Sequence, residues 1–322
     1  MLRLQPTHLV QVKADQSTTK TQQKDVKQPE KIFMQQILTK KFMDARERVY
    51  RAIEFEGPDV VPNGCYCLPG ALRRNREKIL KLFFKYPRDF GDLGYTSEYW
   101  RAYDEGIYRD KWGCVWKNVQ PGLLGRIIKH PLENVPLEVI ENYQTPEPSE
   151  VINFDAVEKT IAKIPHDKYL LGDSENFFER LHWIRGFTNT LMDIILGRRE
   201  LIILLDKIYK YKMKVIMRWV ELDIDGVYFL DDWGTQKGLM IKPELWRKYF
   251  KPYYKKMFDK VHKKNKHVFF HSDGHIIDII PDLAAILIKK IPDLKIHVVT
   301  KTEAHNPLYL ELIEKIRQME LD

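Results

Sequence analysis

Long apolar runs are missing from this chain of 322 residues: no stretch of about 18 apolar residues occurs, so no segment is built to span a bilayer as a helix. Cysteine is scarce, with three residues and no C-x-x-C pair, which points to reduced thiols in the cytoplasm rather than a disulfide framework. Residues 1–30 lack the apolar stretch of a secretory signal. No G-x-G-x-x-G follows any candidate strand, which weakens a nucleotide-binding reading.

What is present reads as globular. Hydrophobic residues make up 44% of the chain, including 16 Tyr and 15 Phe, enough to bury the core of one large domain. The net charge is +8, but the excess is concentrated at one end. Residues 1–43 hold 8 Lys/Arg against 3 Asp/Glu, which leaves the body near +3 and without the clustered basic surface that nucleic acid requires. Residues 1–43 are expected to be a disordered basic extension, with Ile32–Phe42 as a short helix inside it. Neither a nucleic-acid nor a membrane partner is expected.

The folded body begins at Asp44, which caps a helix running through Glu54, with Glu47 as its capping-box partner. Gly57-Pro58-Asp59 ends that helix and Val60-Val61-Pro62 starts an extended segment. Residues 85–150 read as a long irregular insertion rich in aromatics, among them Tyr95, Tyr99, Trp100, Tyr103, Trp112 and Trp116, packed as a lid over one face. Beyond residue 150 the rhythm is regular. A helix at Phe154–Ile164 precedes a strand at Tyr169–Leu171 that stops at Gly172-Asp173-Ser174-Glu175. A helix at Arg198–Glu221 has apolar residues every third or fourth position, from Leu201 and Leu204 to Val215 and Trp219. The apolar run Val227–Leu230 stops at Asp231-Asp232-Trp233-Gly234-Thr235-Gln236. Pro243 suits a helix start, Pro252 a restart, and Asn265 a left-handed terminus. A strand at His267–Phe270 stops at His271-Ser272-Asp273-Gly274, and a last strand at Lys295–Val299 stops near Glu303, His305 and Asn306.

Strand and helix in alternation predict an α/β fold with a parallel sheet. A barrel and an open doubly wound sheet share that local pattern, so periodicity leaves both open. In either, polar clusters at strand ends are where chemistry is expected. Asp231 and Asp232 can bind a cation, exchange a proton, or serve structurally, one as a cap and one as an arginine partner. His271 and Asp273, two apart, face the same side of an extended chain, and both are competent zinc ligands or a simple hydrogen-bonded pair. Cys65 and Cys67 read as ordinary small thiols.

Ala45-Arg46-Glu47-Arg48-Val49 through Phe55-Glu56-Gly57-Pro58-Asp59 resembles the start of uroporphyrinogen-decarboxylase-like proteins, as does Trp112-Gly113-Cys114-Val115-Trp116. So do Glu175-Asn176-Phe177-Phe178-Glu179-Arg180, Arg185-Gly186-Phe187, Asp231–Gln236 and His271–Gly274, a set covering about residues 44–283. The resemblance implies a (β/α)8 TIM barrel over 44–322. Authentic decarboxylases of this kind act on a tetrapyrrole without a cofactor and carry an early Arg-Gln-Ala-Gly-Arg stretch. Here the nearest basic cluster is Arg73-Arg74-Asn75-Arg76, in a helical context. A second branch transfers methyl groups with corrinoid proteins and uses zinc held by a His-x-Cys motif and a later Cys. His271 matches that motif, Asp273 stands in place of the Cys, and no later Cys follows.

The resemblance therefore implies one-carbon transfer linked to a corrinoid on a partner protein. The alternatives are uroporphyrinogen decarboxylation, or a barrel that only binds a tetrapyrrole or a partner. Catalytic residues are expected at Asp231, Asp232, His271 and Asp273, with His271 and Asp273 as zinc ligands. Trp233, Gln236, Glu175, Arg185 and His305 are the expected substrate contacts. From Ala284 onward the family's Asn-Pro-x-Gln strand end is lost, while Ala304-His305-Asn306 is similar to its late His-Asn loop. A barrel incomplete at its C-terminal end is expected, with an open edge that favours pairing with another chain, a homodimer being one option.

Overall fold

The structure is a computed structural model and describes residues 43–93, 101 and 103–287. The extension through residue 42, Tyr95, Tyr99, Trp100, the expected strand at 295–299, Glu303, His305 and Asn306 lie outside the described residues. No helix among the described residues is long and apolar enough to cross a membrane.

Helix α1 (Ala45–Ile53) starts as the sequence predicts, with the Asp44 carboxylate accepting from the Glu47 N–H at 2.7 Å. Glu47 does not close the box; its carboxylate accepts from Arg51 one turn later. The helix is fastened through Asp225, 1% exposed, which accepts from Arg46 Nε at 2.7 Å, the Tyr50 hydroxyl at 2.9 Å and the Leu170 N–H at 2.7 Å. Arg48 bridges Asp59 and Asp89 and, with the Met43 and Val60 N–H groups, holds the Asp59 carboxyl below the usual carboxylate range. Val60-Val61-Pro62 joins no sheet, and Val61 is 87% exposed. Asp59 is drawn back to Arg48 at this point, and Pro62 has no N–H to offer a ladder.

Helix α2 (Pro69–Lys85) carries the Arg73–Arg76 cluster, as expected. The segment that follows is more ordered than its sequence suggests. Strands β1 (Gly106–Arg109), β2 (Val115–Asn118) and β3 (Arg126–Lys129) form an antiparallel meander, and α3 (Leu137–Asn142) comes next. Its β1–β2 turn closes on Asp110, which accepts from the Cys114 N–H and from Trp116 Nε1. Trp112, Cys114 and Trp116 are core residues. Four-residue strands are too short for alternation to register in the sequence.

After the short α4 (Pro148–Val151) and α5 (Phe154–Ile161), strand β4 (Leu171–Asp173) enters a parallel sheet. It starts two residues later than predicted, because Tyr169 makes an isolated parallel bridge to Phe90. Helices α6 (Phe178–Arg185), α7 (Phe187–Leu196) and α8 (Arg199–Glu221) lead to β5 (Gly226–Leu230). Helices α9 (Pro243–Tyr249) and α10 (Lys251–His262) lead to β6 (His267–His271), and α11 (Ile280–Leu287) follows. Asn265 takes the expected left-handed conformation, φ 55°. The parallel sheet has the order β4-β5-β6, in chain sequence and without reversal. It is a three-stranded sector, not a closed ring, and β6 has one strand partner among the described residues.

One face of the sector packs on helices. Val227 and Phe229 are 0% exposed, and Phe229 meets Phe258 of α10 ring to ring at 4.8 Å. Gly172 lets β4 lie against Trp219 of α8, where a Cβ would stand 2.5 Å from the indole. Burying each large apolar side chain in this layer contributes about 1.5–3 kcal/mol, an upper figure for any single position. Residues of alternate phase, including Tyr228, Phe269 and His271, are turned to the other face and are only half-buried or intermediate.

Candidate functional site

All three parallel strands end on the same side, so their polar termini are brought together whatever their separation in sequence. The register pairs Leu230 with His271. Two residues beyond Leu230 stands Asp232, and two beyond His271 stands Asp273, so Asp232, His271 and Asp273 share one phase. His271 Nε2 lies 3.8 Å from Asp232 Oδ1 and 3.5 Å from Asp273 Oδ1. The Asp273 N–H donates to Asp232 Oδ1 at 2.8 Å, which locks the two loops in register. Ligand atoms of Asp232, His271 and Asp273 all fall within 4.8 Å of one another.

Two further bonds clasp the loops: the Ser272 hydroxyl accepts from the Trp233 N–H at 2.9 Å, and the Asp231 N–H donates to the His271 carbonyl at 3.1 Å. Glycines at 234 and 274 let the backbones touch. The site is half open: the His271 side chain is 39% exposed, Asp232 35% and Asp273 78%.

Adjacent Asp231 has the opposite phase and a different role. It is 1% exposed and accepts from the Phe177 N–H at 2.8 Å, the Glu179 N–H at 3.1 Å and the Tyr254 hydroxyl at 2.6 Å. Helix α6 has no capping side chain of its own, and Asp231 provides that function from β5. Burial pushes its carboxyl up to about 6, against the opposing pull of Lys212 and Tyr254. With these partners the Asp231 carboxylate caps α6 from the helix side of the sheet and does not join His271 on the open face.

Other expected contacts also divide. Trp233 is 0% exposed, stacks on Phe178 at a centroid distance of 4.1 Å and donates to the Tyr254 hydroxyl. It belongs to the core and presents no surface to a substrate. Arg185 is likewise withdrawn, paired with Asp193 at 2.8 Å and donating to the Leu132 carbonyl at 2.7 Å. Glu175, at φ 59°, turns its carboxylate to the Tyr211 hydroxyl of α8 at 2.8 Å, with Arg180 at 3.7 Å. Gln236 is exposed on the loop closed by the Thr235–Gly238 bonds. His305 lies outside the described residues.

Sequence reasoning missed two titratable neighbours. Glu179, in the first turn of α6, accepts from Asn176 Nδ2; burial, then the Asp231 and Asp232 carboxylates, push its carboxyl up to about 8. Lys212, 1% exposed, donates to the Ser174 carbonyl at 2.7 Å and to the Glu175 carbonyl, so it braces the β4 terminus; burial pulls its ammonium down to about 8. Lys212 falls on the buried stripe of α8 at helical spacing, the one signal that could have exposed it. Tyr228 lines the open face. Burial, then the Asp173, Asp232 and Asp273 charges, push its phenol up to about 12.

The family model described as uroporphyrinogen decarboxylase (URO-D) matches residues 126–300, more than half of the chain. None of the curated proteins compared with the chain matches it. A solved structure of a methyltransferase from Methanosarcina mazei superimposes with a TM-score of 0.53 at 16% sequence identity, covering 75% of this chain and 73% of that one. At that identity the likeness is one of fold.

Proposed function

The chain belongs to the uroporphyrinogen decarboxylase family, and we propose that it is a cytoplasmic (β/α)8-barrel enzyme that transfers a methyl group at the C-terminal ends of β5 and β6. The observation that carries this reading is the convergence of Asp232, His271 and Asp273 on one half-open spot. The likeness of fold to a methyltransferase supports it, as does the lack of the early arginine stretch that the decarboxylases carry. A corrinoid on a partner protein would supply the methyl group. His271 and the two carboxylates bind the acceptor and take the proton it gives up as it becomes a nucleophile. Asp231 and Lys212 hold the strand ends on which these groups stand, which is where positioning contributes to rate.

The family model's own description favours a second reading, decarboxylation of uroporphyrinogen. The charge at the site argues against it. A substrate rich in carboxylates would meet Asp232 and Asp273, neither of which has a Lys or Arg ion-pair partner among the described residues. Methylated corrinoid incubated with the protein and a panel of acceptors tests the first reading. Demethylation, seen as a change in the corrinoid spectrum, is expected; an unchanged spectrum with every acceptor would sink it. Loss of carboxylates from uroporphyrinogen, followed by chromatography, would promote the second.

A further inference from the structure

Helix α7 is apolar on two sides. Its inner side, with Thr190, Asp193 and Ile194, is buried, and Asp193 is the one charged residue of the helix. Its outer side carries Phe187, Met192, Ile195 and Leu196, all exposed, from 42% at Met192 to 63% at Ile195. Exposed Thr188 and half-buried Leu191 complete that side, and exposed Ile202 follows in the first turn of α8. A helix that is apolar all round is one that is covered all round, and a contiguous exposed apolar stripe marks an interaction surface. Helix α2 also exposes Leu80, Leu82 and Phe84, but a spacing of two puts Leu82 on the far side from the other two, among lysines.

The order of the stripe says what covers it. When a helix packs antiparallel on a copy of itself, each step forward along one helix is a step back along the other. Setting Phe187 against Leu196 of a second copy therefore pairs Thr188 with Ile195 and Leu191 with Met192, so the outward positions map onto themselves. The charges at the two ends agree. Glu133 lies against Gly186 at the N-terminus of α7, where a Cβ would stand 3.3 Å from its carboxylate oxygen, and Arg198 and Arg199 follow the C-terminus. An antiparallel copy sets those arginines beside Glu133 at both ends of the stripe. A second copy is thus the occupant whose complement this surface already contains.

We propose that two copies of this chain pair across a two-fold axis at the middle of α7, burying the outer stripe of each helix on that of the other. The same patch serves both copies, so the contact closes as a dimer and does not propagate. The helix has ten residues and is about 15 Å long, and Ile202 extends the contact onto α8. Phe and Met at its centre are residue types in which interface cores are enriched. The pairing uses neither the sheet edge at β6 nor Asp232, His271 or Asp273, so it stands or falls apart from the methyl-transfer reading.

Sedimentation equilibrium of the full chain, run up to about 100 µM, is expected to show a dimer that dissociates on dilution. Ile195→Asp places a carboxylate in the stripe and should raise the dissociation constant tenfold or more, by about 1.4 kcal/mol per factor of ten. Its circular dichroism should stay that of the parent, since Ile195 is exposed in the single chain. Glu133→Arg, which sets like charges at both ends of the stripe, should weaken the dimer as well. Phe84→Asp, on the exposed side of α2, should pair as the parent does. The proposal is overturned if the parent stays monomeric at about 100 µM, if Ile195→Asp pairs as tightly as the parent, or if Phe84→Asp dissociates the dimer.

Discussion

Gly234 and Gly274 meet backbone to backbone: a Cβ on Gly234 would stand 2.6 Å from the Gly274 carbonyl carbon, and one on Gly274 would collide with the Gly234 carbonyl. Gly274 also sits at φ 81°, where an L side chain is strained. This contact sets the distance between the loops that carry Asp232 and Asp273.

Gly274→Ala is therefore expected to lower stability by about 1–3 kcal/mol. Gly238 has open space around its Cβ position, and Gly238→Ala should stay within about 0.5 kcal/mol. Urea unfolding of the two variants measures the difference, and equal midpoints would refute the contact's role.

Asp231→Ala strands two backbone N–H groups and the Tyr254 hydroxyl. A loss of about 3 kcal/mol or more is expected, since each orphaned buried group costs roughly 1–3 kcal/mol. Tyr254→Phe, which removes one donor to Asp231 and leaves the Trp233 indole N–H without its acceptor, should cost about 1–3 kcal/mol. The ratio of these losses in urea distinguishes a cap from a solvent-facing acid.

Stability should respond to pH through Glu179. Its carboxyl in the folded chain is raised from the ordinary 4.5 to about 8, so the folded state binds the proton more tightly than the unfolded state. The stability this group contributes is greatest at low pH and falls as pH rises from 4.5 to 8. Asp231 adds the same sign between 3.8 and about 6. Asp59, depressed by Arg48, has the opposite sign, and its contribution is lost as pH falls below the ordinary 3.8. Glu179→Gln should flatten the decline between pH 6 and 8 in thermal melts; an unchanged slope would count against the assignment.

For transfer itself, His271→Ala and Asp232→Asn should each lower kcat by about 100-fold or more. Both residues are half open, so stability should move by no more than about 0.5 kcal/mol. Trp233→Ala should do the reverse, costing about 3–5 kcal/mol of stability as a core truncation. KM measured on the folded fraction should be unaltered in that variant. A selective rise in KM would restore Trp233 as a substrate contact.

The local pattern was sufficient for the elements that carry their own signal. Helix α8 differs by one residue from its expected span because its apolar stripe recurs over six turns, and β5 and β6 follow unbroken apolar runs. The left-handed Asn265 and the helix starts at Asp44 and Pro243 are equally local. The antiparallel meander escaped notice because four residues carry almost no periodicity.

What the sequence by itself determined is the alternation of strand and helix, the polar clusters at strand ends, and the family to which they point. What only the tertiary structure decided is how neighbouring residues divide. In the sequence Asp231 and Asp232 are one paired signal. In the fold, strand pleating turns Asp231 into the helix layer as the cap of α6 and leaves Asp232 beside His271, 39 residues away in the chain. Trp233 and Arg185 were withdrawn from the site for a related reason, since an aromatic stack and a buried ion pair are satisfied only by partners that packing supplies. Residue type and spacing specify which side chains are available at a strand end. The phase of the pleat, and what lies on each face of the sheet, decide which of them meet.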